Sequence, residues 1–533
     1  MRRIDSPNQE QIWDPFDFLG SKRKALLESG WSGLFRTDLY SQLPVDAIKG
    51  AFHECMGRPT KELHTVLGTL VLQQLFDLTD QQTMHHLAFN IEWHYALNLV
   101  DEEDASKTIS ERTLRTYRAL VVEKEIDVLL FESLTDVLLD KFKIHVEKQR
   151  LDSTHIHSDM RRLSRLGVFR RTLMKFFKVM QHDHSRLLKK MVKEELRQRY
   201  LDKENGYFAQ VKPSESKAVL QQVAEDLLTV VETFRRHPKI RHLPAFHLLE
   251  RVLQEQCEVQ GADEAAKVVV KEPKDVPSTA LQNPSDPDAT YDGHKGEGYQ
   301  VQIMETFTQK PRTAADGPED ETPQPDLITY VKVEPAHQSD TQAPLPAIRA
   351  TKERGCAPQE LLADSAYGSD DNVQKAKQEG TEIIAPTMGT PKEKEKLGLE
   401  DFWVDEETGE VTACPVGEPP SEIRTGKDGS LKIYFDATVC GQCDHQDYCG
   451  VGQHPETKME YTPKQFRLAQ RRAAEESDVF REKYRFRSGI EATMSKLKRV
   501  MKIGRLRVRG LAKVRYTVTL KVLGWNILQA ARA

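Results

Sequence analysis

The strongest constraint on this chain is a change of period near residue 143. Before it, apolar residues recur every three to four positions, as in Leu63–Leu78 and in the stretch TLRTYRALVVEKEIDVLLFESLTDVLLDKF, which predicts helix. From Ile144 to His157 the sequence IHVEKQRLDSTHIH is partly β-branched and free of helix signals, and predicts one or two strands. Helix resumes over 161–255, and residues 270–292, rich in Pro, Asp and Ser, read as a linker or loop. Strand candidates follow at Tyr299–Glu305, Leu327–Val333, Leu361–Asp364 and Glu382–Ala385, and a final helical block begins near Thr462. Strands interleaved with helices predict an α/β core carrying large insertions.

Local signals add detail. Asp80 is positioned to cap a helix running through His86–Leu97, and Thr108–Glu111 has the Thr-x-x-Glu form of a capping box. Arg112, Arg115 and Arg118 open the following helix and either face phosphates or form an ordinary solvated face. With 533 residues, of which 38% are hydrophobic, the chain has enough apolar material for real cores, so disorder throughout is excluded. The longest apolar stretch, Val66–Leu78, contains two glutamines and is too short to span a bilayer, and the first residues lack the apolar run of a secretory signal. Seven cysteines in a chain of this length make no disulfide framework and fit a reducing, cytoplasmic setting. Walker loops, Rossmann glycine motifs and Gly-x-Ser-x-Gly elbows are absent, which argues against nucleotide, dinucleotide and serine-hydrolase chemistry.

The most informative stretch is REKYRFRSGIEATMSKLKRV, Arg481–Val500. Phe486, Ile490, Met494, Leu497 and Met501 share one buried helical face. Tyr484, Arg487, Glu491 and Lys498 fall within an arc of about 60° beside that face. A carboxylate flanked by a phenol, a guanidinium and an ammonium suits metal binding with phosphate-gripping neighbours. The plainer reading is a salt-bridged helix, because Arg487 and Glu491 form an i,i+4 pair. Two further carboxylates sit where strands meet loops: Asp152 in LDSTHIH and Asp364 in LLADSAYG. Three hard oxygen donors from two strand ends and one helix are what two Mg²⁺ ions need for in-line phosphoryl displacement. His155 and His157 share a strand face and suit a softer metal, but that reading is disfavoured beside an oxygen-donor site.

Tyr484-(2)-Arg487-(3)-Glu491-(6)-Lys498 resembles the Tyr–Arg–Glu–Lys signature of bacterial insertion-sequence transposases of the DDE type. Asp364-Ser365-Ala366-Tyr367 is similar to the second motif of that group, and Leu151-Asp152-Ser153-Thr154 to the first. Gly57-Arg58-Pro59-Thr60 and LTDQQTMHHL resemble the helical region preceding the core, so the likeness extends from about residue 45 to 530. The resemblance implies an RNase H-like α/β core in which Asp152, Asp364 and Glu491 are catalytic and hold two Mg²⁺ (or Mn²⁺) ions, with Tyr484, Arg487 and Lys498 on DNA. It divides the chain into a helical DNA-binding domain over 1–142, a first part of the core over 143–390 with a helical insertion at about 161–282, a Cys-rich β insertion over 391–460, and a last part over 461–533 carrying Glu491. The separation of Asp152 and Asp364 by 212 positions requires such an insertion. The implied partners are double-stranded DNA, as terminal inverted repeats and target, and a second copy of the chain, since two ends must be brought together.

Cys414, Cys440, Cys443 and Cys449 lie within 36 residues in the pattern Cys-x25-Cys-x2-Cys-x5-Cys. This resembles a structural Zn²⁺ site without a second Cys-x2-Cys pair, with His445 or His454 as replacements for Cys414; the alternative is free thiols in a small β unit. Finally, Arg161–Lys193 holds 11 basic residues against one acidic, and Arg481–Arg515 holds 13 against two. The net charge of −5 is therefore a cancellation, and Arg161, Arg162, Arg505, Arg507 and Arg509 are candidate phosphate contacts. The leading expectation is a transposase; the competing ones are a non-catalytic DNA-binding derivative and a two-metal nuclease that never joins strands.

Overall fold

The computed structural model describes residues 1–4, 14–100, 103–160, 162–202, 215–261, 267–308, 324–388, 396–405, 408–451 and 457–533. Arg161 and His454 lie outside the described residues. The architecture is mixed α/β with a helical amino-terminal region.

Six strands form the main sheet: β1 (Lys148–His157), β2 (Thr290–Asp292), β3 (Gly296–Thr306), β4 (Ile328–Pro335), β5 (Glu360–Leu362) and β6 (Glu382–Ile384). β3 pairs antiparallel with β1 along one edge and with β2 and β4 along the other, while β5 runs parallel to β1 and β6 parallel to β5. The four strand candidates and the Ile144–His157 segment all appear here, and the loop reading of 270–292 misses only the short β2 at its end. β1 and β3, central and buried on both faces, read as poor alternators, because only solvent-facing strands show a strict period of two.

The amino-terminal helices do not stand apart from this sheet. The carboxyl-terminal helix Leu511–Ala530 packs against Leu63–Leu75 and Ile126–Lys141 and against β4, so that Leu70, Leu134, Val301, Ile490, Leu520 and Ile527 belong to one apolar cluster. Gly524 is required here, since a Cβ would lie 2.9 Å from the Leu75 backbone. The described residues between 165 and 271 instead form a helical unit with its own core, centred on Phe176, Phe234 and Phe246, and closed by antiparallel strands Cys257–Gln260 and Lys267–Val270.

Three local expectations are corrected. Thr79, not Asp80, caps helix Asp80–Phe89 through a capping box with Gln82, because the Asp80 carboxylate is taken by Arg118 and Gln73. Ser110, not Thr108, caps helix Glu111–Glu123; Thr108 ends the preceding turn and donates its hydroxyl to the Asp104 carbonyl. Arg115 bonds Glu111 at 2.7 Å and Arg118 bonds Asp80, so these two arginines serve helix packing.

Candidate active site

β1 presents Asp152 at its middle, opposite Ile303 of β3, and not at the strand end that the sequence predicts, because pairing with β3 continues to His157. Asp364 stands two residues beyond the end of β5, the parallel neighbour of β1, in a tight turn: the Ala366 amide donates to its Oδ1 at 2.9 Å and the Tyr367 amide to its carbonyl at 3.2 Å. Tyr367 is fully buried and anchors that turn from beneath by donating its hydroxyl to Gln302 Oε1 at 2.9 Å, whose amide nitrogen in turn donates to Asp340 at 2.7 Å.

Glu491 comes from a chain segment that departs from the continuous helix the periodicity predicts. Helix Asp478–Tyr484 tightens into a 3₁₀ turn at Arg485–Ser488 before α-helix Gly489–Arg499 resumes. Ile490, Met494, Leu497 and Met501 are buried as expected, while Phe486 is partly buried and stacks on Phe307 at 5.7 Å.

These elements meet at Arg487. Its Nη1 donates to Glu491 Oε1 at 2.6 Å, its Nη2 to Asp152 Oδ2 at 3.0 Å, and the same Nη2 lies 3.7 Å from Asp364 Oδ2. The two readings of the helix thus coexist: the i,i+4 pair forms, and its guanidinium also reaches both strand-borne carboxylates. Arg487 is largely enclosed (16% exposed) whereas Glu491 is open to solvent (63%). Burial pushes the Asp152 carboxyl up to about 6, against the pull of Arg487, and Asp364 and Asp340 add to the rise. Tyr484, half-buried and stacked on Phe480, has its phenol pushed up by burial. Lys498 is exposed, lies along Gly504, and has its ammonium pushed down by burial and by Lys295.

Among the described residues, no three His, Cys, Asp or Glu side chains are set closely enough to hold an ion as they stand. At the carboxylate cluster a guanidinium occupies the middle. The donor set is nevertheless all oxygen, which suits Mg²⁺ or Mn²⁺ and not a soft metal. His155 is buried on β1, its rings packed edge to face with His157 at 4.7 Å, and burial pushes its imidazole down to about 4.

The basic candidates divide. Arg505 pairs with Asp159 at 2.7 Å and Arg507 with Asp77 at 2.8 Å, while Arg162 and Arg509 are exposed. Cys414, Cys440, Cys443 and Cys449 line one small cavity of about 40 Å³ with His445 and Glu418 and form no disulfide. They belong to a small β unit with its own core of Phe402, Ile433, Phe435 and Tyr461. Residues missed from sequence are Arg150 and Glu305, described below, and the Tyr367–Gln302–Asp340 chain. Arg150 carried a usable signal, since it lies two residues before Asp152 and shares its strand face.

Two family models match the chain. One, described as a transposase DDE domain, covers residues 413–531, and the other, a transposase domain (DUF772), covers residues 38–119. No curated protein and no solved structure matches. One transposase model over the amino-terminal helices and another over the segment bearing Arg487 and Glu491 together indicate a DDE transposase of the insertion-sequence type.

Proposed function

We propose that the chain cuts DNA at the ends of its own element and joins the freed 3′-OH to target DNA, with Asp152, Asp364 and Glu491 as the catalytic carboxylates. The observation that carries this reading is their convergence on Arg487 from two parallel strands and one helix. The sheet supports it: three antiparallel strands followed by two strands parallel to the first is the order of an RNase H-like core. The three carboxylates would hold two Mg²⁺ or Mn²⁺ ions, which when bound supply Lewis-acid activation of the attacking oxygen and charge stabilisation at the leaving oxygen.

The chain's own groups do the rest. Arg487 balances part of the carboxylate charge before DNA arrives, which lowers the cost of burying Asp152. Tyr484 and Lys498 flank the cluster and offer a phenol and an ammonium to the backbone phosphates, with Arg162, Arg505, Arg507 and Arg509 extending the basic surface. The carboxylates must be ionised to hold the ions, which a bound cation itself favours.

The four thiols are proposed to hold one structural Zn²⁺, supported by the shared cavity and the Cys440-x2-Cys443 spacing. Purified protein should then carry about one zinc per chain. A homodimer on DNA and a cytoplasmic location complete the reading; among the described residues no helix is long and apolar enough to cross a membrane.

The test is a strand-transfer assay. Duplexes bearing the inverted repeats that flank the coding region, incubated with protein, Mg²⁺ and a target plasmid, should give joined products. Nicking without joining would favour a nuclease, and salt-sensitive binding without nicking would favour a DNA-binding derivative.

A further inference from the structure

We infer that Arg150, clamped by Glu305, is a positioning residue that fixes the Phe486–Glu491 segment against the strand carrying Asp152. The role rests on the cleavage chemistry proposed above for the carboxylate cluster.

Arg150 sits on β1 two residues before Asp152, on the same strand face. Its guanidinium is almost wholly buried (8% exposed) and each nitrogen is committed. Nε donates to Glu305 Oε1 at 2.7 Å, Nη2 to Asp326 Oδ2 at 3.2 Å, and Nη1 to the carbonyl of Phe486 at 3.0 Å. That carbonyl belongs to the 3₁₀ turn Arg485–Ser488, one residue before Arg487. Glu305 is the direct cross-strand partner of Arg150 and is 1% exposed. Its carboxylate also faces Thr493, two residues after Glu491 on the resumed helix. The pair therefore reaches the site-bearing segment on both sides of Glu491, from the strand that carries Asp152 and the strand beside it.

The fit is close. A Cβ at Gly489 would lie 1.9 Å from Arg150 Nη1, so only glycine lets the helix start where the guanidinium needs it. Phe307 completes the setting, with Arg150 lying 5.5 Å from its ring centre and Phe486 stacked on that same ring. A backbone carbonyl held by a buried guanidinium is a rigid anchor, whereas the i,i+4 pair of Arg487 and Glu491 is a local tether that moves with its own helix. The turn is thus held to β1 twice, by Arg487 on Asp152 through its own side chain and by Arg150 through its backbone.

The experiment uses the full chain in two variants. Removing one partner alone would strand a buried charge, so the first variant is Arg150→Met with Glu305→Leu, which replaces the pair by apolar side chains and commonly leaves stability little changed. The second is Gly489→Ala, which keeps both charges and displaces the guanidinium. In both, amide hydrogen exchange over 485–491 should accelerate by about tenfold while exchange in Leu511–Ala530 stays as in the parent. Cleavage of the flanking-repeat duplex should fall by about 10²-fold, with DNA affinity within about threefold of the parent, the signature of misplaced reacting groups. Unchanged exchange over 485–491, or accelerated exchange with full cleavage, overturns the role. If the parent itself does not cleave, the transposase reading fails, and the exchange measurement alone then decides whether Arg150 anchors the turn.

Discussion

Arg487 and Arg507 come from the same basic stretch, yet the structure puts them to opposite uses. Arg487 is enclosed among Asp152, Asp364 and Glu491 at the junction of sheet and helix. Arg507 and its neighbour Arg505 lie on the surface, 58% and 73% exposed, each paired with one carboxylate from elsewhere in the chain. Exposed pairs contribute at most about 1 kcal/mol and are screened by salt, so Arg505 and Arg507 can exchange Asp159 and Asp77 for DNA phosphates at little cost. Removing Arg487 would leave Asp152 buried without its counter-charge. Equal charges in the sequence thus differ in function because burial differs, and a count of basic residues over 481–515 cannot separate a site component from a docking surface.

The comparison can be broken in three ways. The largest effect is expected from Arg487→Met, which should lower unfolding free energy by about 3–5 kcal/mol, as breaking a buried pair does; a chemical melt within 1 kcal/mol of the parent would show that Asp152 does not depend on it. Next is pH. Asp152 is raised from 3.8 to about 6, so between those values the folded chain holds a proton that the unfolded chain has lost. Stability of the metal-free chain should therefore fall as pH rises through that window. A stability profile that does not change between about pH 4 and pH 6 would contradict the burial of this carboxylate. The smallest effect on the fold is expected from the triple variant Arg505→Ala, Arg507→Ala and Arg509→Ala. Stability should change by under about 1 kcal/mol per pair, and the slope of log affinity against log salt should lessen by about one per lost contact. An unaltered salt slope would remove these residues from the DNA surface.

Much of this was legible from residue pattern. The switch from helical to extended chain at Ile144 located β1, and the turn chemistry around Asp364 located its strand end. The stripe Ile490–Met501 gave the buried helix face, because burial on one side imposes a period that survives in the sequence. What pattern could not supply was anything depending on meetings across the chain. Arg487 reaching Asp152 joins positions 335 residues apart, and the Arg150–Phe486 bond spans 336. The 3₁₀ turn at Arg485–Ser488, whose Phe486 carbonyl accepts from Arg150 of β1, is likewise invisible to periodicity. Caps were misread by one or two positions where the expected side chain was taken elsewhere, Asp80 by the distant Arg118 and Thr108 by the Asp104 carbonyl of its own turn.

The central claim is that three carboxylates gathered by Arg487 perform metal-dependent DNA cleavage. Its most direct test compares the parent chain with Glu491→Gln, an isosteric change at a solvent-open position, on a duplex bearing the flanking repeats in Mg²⁺. The account predicts loss of cleavage by about 10³-fold or more, equivalent to at least about 4 kcal/mol of transition-state stabilisation, with salt-sensitive DNA binding retained. Full cleavage by Glu491→Gln would contradict it.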